Sequence, residues 1–438
     1  MKNLIVFILT LYGGIAHAQL YEIEQGSAID IEEETFDCGY TQEQADADWI
    51  ALQPAIKKYS TRNARTPAVP PVLSWPLQPS CEVYSPGYYV MSNQVDLDPG
   101  SGVLDYSGRT RTYNGHGGID IRLWPYYWTM MDEDLVEVIA SADGIIVNKV
   151  DGNFDRRCSC AGSSNRIDIL HPGGYSTYYL HLKSGSLTSK GIGDPVSKGE
   201  FLGTVGSSGC SSNPHLHFHV VDENGSNVEP YAGPSNPSVP NSLWDVQKPY
   251  YESSIVRLMT HSGPTSLNNC PTSTDTPNEQ NHFNPGSTVR FGSYYMSPQV
   301  GQSASYSVRD PNGVLRYSWS RSFNTNFARS ANYFDLATLP TSAALGTWEL
   351  RVNFTGNGQV AYHHFTVGCT SNISITGNHG DGDGYIASNQ ITSTATVSAG
   401  DDDVHYEAGN RIIFNPGFEA ISGCSFRTRL DDCSVGGQ

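Results

Sequence analysis

The stretch Pro214-His215-Leu216-His217-Phe218-His219 places three imidazoles at alternate positions of a short apolar segment. Side chains alternate between the two faces of a β-strand, so the three histidines are expected on one face and Leu216 and Phe218 on the other. Imidazole is the commonest metal ligand and also the general base best matched to neutral pH. The pattern predicts a strand that carries a ligand and a base together. The alternative is a surface strand whose histidines have no shared role.

The first 18 residues have the features of a secretory signal peptide. Lys2 supplies the positive charge, and Leu4 to Leu11 form an apolar core that is too short to span a bilayer. Ala16-His17-Ala18 provides a cleavage site before Gln19. No later stretch approaches the roughly 20 apolar residues of a membrane helix. We therefore expect a secreted or cell-surface protein without a membrane span.

Composition favours a mainly β protein of several domains. The chain has 438 residues, with 44 Gly and 25 Pro, and turn-forming residues recur about every ten positions. The formal net charge of −18 argues against nucleic acid or anionic lipid as the main partner, since both require a basic surface. We expect a monomer that owes its solubility to this charge.

The pattern of turns and strands divides the chain into five parts. They are a signal peptide (1–18), an N-terminal extension or pro-region (19–80), a domain that carries the chemistry (81–250), a β-sandwich domain (251–372) and a small C-terminal β module (373–438). Gln42 to Tyr59 could form one helix in the extension, which could equally be a simple linker. In the third part, Val136 to Val150 is expected to form two strands joined by a tight turn at Asp143-Gly144. In the fourth, Asp310-Pro311-Asn312-Gly313 predicts a hairpin turn.

Nine cysteines in an exported chain favour disulfides over metal clusters. The expected bridges are Cys38 with Cys81, Cys270 with Cys369, Cys424 with Cys433, and Cys210 with either Cys158 or Cys160. A zinc site made from Cys158 and Cys160 is conceivable, although one intervening residue is fewer than in the usual zinc knuckle.

A second cluster lies upstream, in His116-Gly117-Gly118-Ile119-Asp120. Adjacent glycines disfavour a helix, so an extended strand or turn is expected, in which the glycines let the backbone crowd a bound ion. With one histidine from the later strand, the cluster offers three protein ligands and leaves the fourth tetrahedral position to water, as in a catalytic zinc site. Tyr178-Tyr179-Leu180-His181-Leu182 is expected to form an apolar strand that adds a further histidine, for which the alternative is a satisfied core residue.

The segment from about 104 to 232 resembles the lysostaphin-type (LytM-like) zinc endopeptidases and their beta-lytic relatives. The resemblance rests on H-x-G-x-D at His116 to Asp120, Y-x-H-L at Tyr179 to Leu182, the run Val205 to Gly209, and H-L-H-F at His215 to Phe218. It implies an antiparallel β-sheet peptidase domain, Zn²⁺ as cofactor with His116, Asp120 and His217 as its ligands, and His181 and His215 as catalytic residues. His215 is the expected base because it shares a strand face with His217.

Two features depart from the family pattern, and a second resemblance concerns the tail. His219 stands where the family commonly has Glu, so it could perturb ligand orientation or offer a competing metal contact. The segment from Asp151 to Asn165 is an insertion that could alter specificity. The run from Ala408 to Phe426 is similar to the C-terminal stacked-strand module of exported Bacteroidetes proteins, which implies a surface or secreted location.

The predicted function is therefore zinc-dependent hydrolysis of peptide bonds. The resemblance implies peptidoglycan peptides as substrates, in particular Gly-rich or D-Ala-linked cross-links, or Gly-rich proteins. One alternative is an extracellular protease that degrades matrix or prey proteins. The other is a non-catalytic cell-wall-binding module or amidase regulator, although such proteins have typically lost zinc ligands that this chain retains.

Overall fold

The computed structural model describes residues 20–26, 42–60, 68–80, 87–267, 273–378, 384–398, 404–421 and 426–430. The expected signal peptide lies outside the described residues. So do five of the cysteines assigned to bridges: Cys38, Cys81, Cys270, Cys424 and Cys433. Cys158, Cys210 and Cys369 are disulfide-bonded. The pairing scheme stays a prediction.

The chain is mainly β, as its composition predicts. The residues from the first strand to residue 228 are called the N-terminal β unit. The whole part of the chain up to residue 228 contains both α-helices of the described residues. Its elements are α1 (Gln42–Tyr59), β1 (Leu77–Pro79), β2 (Tyr89–Asn93), β3 (Ile119–Leu123), α2 (Tyr127–Asp132), β4 (Val136–Ile139), β5 (Gly144–Val150), β6 (Ser159–Cys160), β7 (Arg166–Leu170), β8 (Ser176–Leu180), β9 (Pro195–Val196), β10 (Phe201–Thr204), β11 (Cys210–Ser211), β12 (His215–Val221) and β13 (Asn227–Val228).

An antiparallel sheet forms the centre of the N-terminal β unit. Its strand order is β2-β3-β12-β8-β7-β5-β9, with β13 paired to β12. The histidine strand β12 is flanked by β3 and β8, and His217 lies directly between Asp120 and Leu180. All residues of β12 are buried. The predicted strand is confirmed, and it lies inside the sheet rather than on the surface.

The prediction that Val136 to Val150 forms a hairpin is wrong. Its two strands exist as β4 and β5, but β4 pairs with β1 and β10 in a separate three-stranded sheet, whereas β5 pairs with β7 and β9. Alternation along a segment shows that it is half buried but does not identify its partner. Here the residues after Ile139 carry the chain from one sheet to the other.

The β-sandwich follows, from residue 254 to 367. Its strands are β14 (Ser254–His261), β15 (His282–Phe283), β16 (Thr288–Met296), β17 (Ser303–Arg309), β18 (Leu315–Ser322), β19 (Ser330–Thr338), β20 (Gly346–Phe354) and β21 (Val360–Val367). A sheet of order β14-β16-β19 packs on one of order β15-β21-β20-β17-β18. The predicted turn at Asp310 is confirmed: β17 and β18 form a hairpin, and Gly313 takes the φ of 74° that this turn needs.

The sheet β14-β16-β19 is buried on both faces. Alternate side chains of each strand enter the core of the β-sandwich, among them Ile255 and Tyr295. The intervening side chains enter the core of the N-terminal β unit, among them Val256, Met259 and Tyr294. This sheet is therefore a wall common to both units, which explains why most residues of its strands are buried on either face.

The C-terminal β unit is small and differs from the rest in its pairing. Its strands are β22 (Thr370–Ile375), β23 (Gly384–Ser393), β24 (Thr396–Val397), β25 (Val404–Ala408), β26 (Arg411–Phe414), β27 (Glu419–Ala420) and β28 (Phe426–Leu430). The sheet β22-β23-β25-β28 is parallel throughout, and so are the pairs β23–β26 and β24–β27. The predicted β module is present, and its likeness to the Bacteroidetes module stays a prediction.

Two segments of the N-terminal extension pack onto the units that follow it. Residues 20–26 lie along the β-sandwich, where the amide of Glu24 donates to the carbonyl of Leu336 and that of Gly26 to Asp335. The predicted helix from Gln42 to Tyr59 is confirmed as α1, and it packs on the central sheet. None of the helices in the described residues is long and apolar enough to cross a membrane.

Candidate metal centre

Three side chains meet where β3 and β12 run side by side. Asp120 of β3 and His217 of β12 are direct partners in the antiparallel register, so their side chains leave the same face of the sheet. His116 lies just before β3, in the segment that leads into the strand. Gly117 and Gly118 follow it, and the strand begins at Ile119. All three side chains are buried. The predicted ligand set is brought together.

The ring nitrogens of His116 and His217 have the spacing of two ligand atoms on a tetrahedral zinc ion, and each lies close to one oxygen of Asp120. His116 Nε2 lies 3.1 Å from Asp120 Oδ2, and His217 Nδ1 lies 3.0 Å from Asp120 Oδ1. His116 Nε2 and His217 Nδ1 are 3.3 Å apart. Two ligand atoms that each lie about 2.0–2.1 Å from zinc at the tetrahedral angle are about 3.3 Å from each other. The donor set and its spacing therefore fit this ion.

The orientation of the His116 ring is set by the backbone of β2 and its continuation. His116 Nδ1 lies 2.7 Å from the carbonyl oxygen of Gln94, so this nitrogen carries the proton and Nε2 offers its lone pair. The amide of the same peptide group, at Val95, donates to Glu229 over 3.1 Å. Burial raises the pKa of Glu229 to about 8. The peptide group between Gln94 and Val95 therefore links the Glu229 carboxyl to the His116 ring, with one hydrogen bond on each side.

Gly118 allows the ring of His217 to approach the backbone. A Cβ at this position would lie 2.5 Å from His217 Nε2 and 2.8 Å from the carbonyl oxygen of Phe218, which is closer than side chains tolerate. The sequence predicted that the glycines let the backbone crowd a bound ion. In the structure, the space that a side chain at position 118 would fill is occupied by the ring of His217 instead.

Two further imidazoles flank the three candidate ligands. His215 Nε2 lies 3.5 Å from Asp120 Oδ1, and the ring centroids of His181 and His215 are 4.6 Å apart. His181 Nδ1 lies 2.7 Å from the carbonyl of Ser208, and His215 Nδ1 lies 2.7 Å from that of Asn213. Each carbonyl requires a proton on the facing Nδ1, so each Nε2 is left as an acceptor.

His181 has an unusual backbone conformation. The sequence placed it within a strand, whereas β8 ends at Leu180 and His181 adopts a φ of 66°. This left-handed region is uncommon for residues other than glycine, and such conformations concentrate at functional sites. The turn carries the imidazole out of the strand direction and towards His215.

The electrostatics favour the protonation states that metal binding needs. Burial opposes ionisation of Asp120, but the neighbouring His116 and His215 outweigh it and hold the pKa of Asp120 well below its usual range. Burial lowers the pKa of His217 to about 4. Burial, reinforced by His215 and His217, also places the pKa of His181 well below 6.5. An ionised carboxylate and neutral imidazoles are the forms that bind a cation and accept a proton.

His219 makes a hydrogen bond with a residue other than the three candidate ligands. Its Nε2 lies 2.7 Å from Asn227 Oδ1, and its ring centroid is 5.8 Å from that of His217. Among the described residues, the group able to hold a metal is His116, Asp120 and His217, without His219. The side chain is accommodated beside the ligands, in contact with Tyr178.

Helix α1 lies on the same face of the sheet as the candidate ligands. In an antiparallel pair, directly opposed residues project to one side, and Leu180 and Tyr178 oppose His217 and His219. Leu180 and Tyr178 pack in turn against Ala45 and Leu52 of α1. A cavity of about 300 Å³ between helix and sheet is lined by residues of both, among them Asp48 of α1 and His181.

Several residues of the site have no recognisable signal in the sequence. The carbonyls of Gln94, Ser208 and Asn213 orient three histidines, and a backbone carbonyl has no side-chain signature. Asn93 donates to Asp120 Oδ2 over 3.1 Å, although a single asparagine 27 positions upstream could not be identified. Only the three candidate ligands and the two auxiliary histidines lie in recognisable sequence motifs.

The structure thus combines a mainly β fold with a His-Asp-His group that could hold a metal ion and with two neighbouring imidazoles. The profile of peptidase family M23 matches residues 115–230, so the chain contains a domain of that family.

Curated relatives match a short part of the chain. The DD-carboxypeptidase/endopeptidase Mpg of Neisseria meningitidis serogroup B is 41% identical over 83 residues, which cover 19% of this chain and 16% of that protein. An uncharacterised metalloprotease of Haemophilus influenzae is 34% identical over 88 residues, which cover 19% of this chain and 17% of that protein. The chain thus spans about a sixth of the length of these relatives.

Solved structures match a larger share of the chain. The catalytic domain of the antimicrobial peptidase lysostaphin from Staphylococcus simulans is 22% identical, with a TM-score of 0.21, and the match covers 34% of this chain and 89% of that one. A mutant catalytic domain of the prophage-encoded M23 protein EnpA from Enterococcus faecalis is 22% identical, with a TM-score of 0.22, and covers 32% of this chain and 88% of that one.

Proposed function

We propose that this protein is an exported zinc-dependent endopeptidase that hydrolyses peptide bonds of peptidoglycan cross-links or Gly-rich peptides. One observation carries the proposal: the facing nitrogens of His116 and His217 lie 3.3 Å apart and each lies within 3.1 Å of one carboxylate oxygen of Asp120, beside two imidazoles whose Nδ1 atoms are held by carbonyls. The M23 domain and the name of the Neisseria relative support hydrolysis of such peptides.

In this proposal His116, Asp120 and His217 would hold zinc, which would polarise the scissile carbonyl and lower the pKa of water towards about 7. His215 is the proposed general base, because its Nδ1 faces the carbonyl of Asn213 and its Nε2 faces Asp120 at 3.5 Å. The proton that His215 takes from water passes to His181 or directly to the leaving amine, and a protonated His181 donates to the developing oxyanion or to that amine. The carbonyls of Ser208 and Asn213 keep both rings oriented throughout.

We also propose that the extension 19–80 contains a pro-region that includes α1, that its last residues, which form β1, join 81–250 in the peptidase domain, and that 251–372 and 373–438 are further domains. The position of α1 supports the first assignment, since it packs on the sheet face that bears the ligands and forms one wall of the cavity at His181. An extended substrate that crosses this face would meet the helix. The signal-like first 18 residues support export.

Two alternatives differ from this proposal, one in its substrate and the other in the absence of catalysis. An extracellular protease would use the same centre on matrix or prey proteins, and a cell-wall-binding module would need no catalytic imidazoles. The arrangement of His181 and His215 beside the three ligands favours a catalyst over a binding module.

The proposal is tested with His217→Ala in the full chain. We expect a loss of at least about 100-fold in hydrolysis, because one of three ligands is removed. Activity is measured by mass spectrometry of the products from purified peptidoglycan, a pentaglycine peptide and a glycine-rich protein, which also separates the substrate alternatives. His363→Ala, which removes a buried histidine of the β-sandwich, is the control. Hydrolysis by His217→Ala or by chelated enzyme at the parental rate would contradict the mechanism.

A further inference from the structure

The side chain of Asn93 joins the candidate metal centre to the end of β2. Asn93 and Asp120 are register partners across β2 and β3, just after an irregularity that begins at Met91. Asn93 is buried, and its Nδ2 donates to Asp120 Oδ2 over 3.1 Å. Asp120 Oδ2 is also the oxygen that lies 3.1 Å from His116 Nε2. Asn93 therefore orients the only carboxylate among the three candidate ligands.

Asn93 is held in turn by an arginine of a different unit. Arg329 directly precedes β19 of the β-sandwich. Its Nη2 donates to Asn93 Oδ1 over 3.0 Å, and its Nε donates to the carbonyl of Ser92 over 3.0 Å. A guanidinium has only donors and an ionised carboxylate has only acceptors. Asn93 between them has one orientation that satisfies both: its oxygen towards Arg329 and its amino group towards Asp120.

The segment that Arg329 holds supports a second ligand as well. Gln94 follows Asn93, and its carbonyl accepts from His116 Nδ1 over 2.7 Å. A displacement of residues 92–94 would therefore move partners of both Asp120 and His116. Residues that orient metal ligands in this way affect metal affinity without touching the metal.

We propose that Arg329 is a positioning residue for the metal centre, so that the β-sandwich completes the support of the peptidase site. The proposal rests on the proposed function, since it takes His116, Asp120 and His217 as metal ligands. It assigns the β-sandwich a role in organising the site, in addition to any contact with substrate. The chain of contacts runs from Arg329 through Asn93 to Asp120, with a branch through the backbone to His116.

The test is the zinc affinity of full-length Arg329→Met, measured by competition with a chromophoric chelator. We expect a loss on the order of 10-fold, at the lower end of the range for residues that orient ligands. Arg321→Met is the matched control. Arg321 also donates one nitrogen to a backbone carbonyl, that of Gly26, and another to a side chain, that of Asp335, with no path to the ligands. Circular dichroism of the metal-free proteins checks that each variant is folded.

A double-mutant cycle shows whether Arg329 acts through Asn93. If it does, Arg329→Met should weaken zinc binding much less in an Asn93→Ala background than in the parent. Arg329→Lys keeps the charge and should restore part of the affinity, because it can donate to only some of the same acceptors. Additive losses in the cycle, or equal affinities of Arg329→Met and Arg321→Met, would overturn the proposal.

His116→Ala separates this outcome from failure of the proposed function. If His116→Ala leaves zinc affinity unchanged, the ligand assignment is wrong and the peptidase proposal fails with it. If His116→Ala abolishes zinc binding while Arg329→Met matches its control, only the role of Arg329 is refuted.

Discussion

At the scale of single residues, the imidazoles of the candidate site differ in which nitrogen they present to Asp120. His116 faces a carbonyl with Nδ1 and presents Nε2 to Asp120 at 3.1 Å, whereas His217 presents Nδ1 at 3.0 Å. His215 also faces a carbonyl with Nδ1, but its Nε2 lies farther from the carboxylate, at 3.5 Å. One residue type thus supplies both the candidate ligands and the proposed bases, and the position of each ring relative to Asp120 distinguishes them.

Gly118→Ala tests how closely the backbone must approach a ligand ring. The new Cβ would lie 2.5 Å from His217 Nε2, so the ring or β3 must shift. We expect zinc affinity and hydrolysis to fall at least about 10-fold, since a misplaced ligand weakens both. Gly191→Ala is the control, because its Cβ would meet its nearest atom at 3.9 Å. Equal zinc affinity for the two variants would show that the site tolerates the shift.

At the scale of elements, α1 is held on the active face of the sheet by apolar packing and one ion pair. Ala45 and Leu52 are buried against Tyr178 and Leu180. Asp48 pairs with Arg166 of β7, whose Nε also donates to Asp168 over 3.0 Å. The helix exposes the opposite side, where Ile50 is 71% accessible. Apolar packing on the buried side of α1 therefore keeps the helix over the sheet.

Leu52→Asp is expected to release α1 and to raise hydrolysis of intact peptidoglycan several-fold. Burial of an unpaired carboxylate in the helix–sheet core is unfavourable by a few kcal/mol, so the docked state loses population. Rates are measured by release of soluble fragments, alongside zinc affinity, which should stay unchanged. Ile50→Asp places the same charge on the exposed side of α1 and should behave as the parent. Parental rates for Leu52→Asp would argue against α1 as an inhibitory element.

At the scale of the whole molecule, the common wall β14-β16-β19 joins the β-sandwich to the unit that carries the site. Tyr294 of the wall meets Tyr126 at 2.5 Å between hydroxyl oxygens and His261 at 3.1 Å. His261 also contacts the carbonyl of Pro277 over 2.8 Å. Arg329 adds a polar contact across the same boundary. The two units are thus connected by apolar burial and by directional contacts that reach the metal ligands.

Acid is expected to weaken this connection through His261. Burial, with a contribution from Arg257 and Arg290, lowers the pKa of His261 from 6.5 to about 3. Between these values the unfolded chain binds the proton and the folded chain does not, so stability is complete above pH 6.5 and falls as pH drops towards 3. The loss between pH 7 and pH 4.5 is about 2–3 kcal/mol from this group.

Urea unfolding of the parent and His261→Gln at both pH values measures this contribution. The pH-dependent loss should be smaller in the variant by roughly 2 kcal/mol, because the titrating group is absent. His405→Gln, in the C-terminal β unit, is a control that should retain the parental dependence. An identical pH dependence in His261→Gln and the parent would exclude this histidine as the source.

The sequence by itself determined the mainly β class and the helix at Gln42–Tyr59, and it predicted five site residues. The class and the helix follow from local information, namely apolar periodicity and turn chemistry, whereas the site residues follow from motifs that resemble those of a known family. The sequence misassigned the partner of β4 and placed His181 inside a strand. Neither strand pairing nor a left-handed backbone at a histidine has a local signal.

Only the tertiary structure decided what surrounds the five residues. The carbonyls of Gln94, Ser208 and Asn213, the amide of Asn93 and the guanidinium of Arg329 reach the site from distant positions in the chain. Hydrogen bonds to backbone groups are set by where strands lie, and alternation specifies only which face is buried. The residue types that bind and react are thus readable from the sequence, whereas the contacts that orient them arise when separate strands and units pack together.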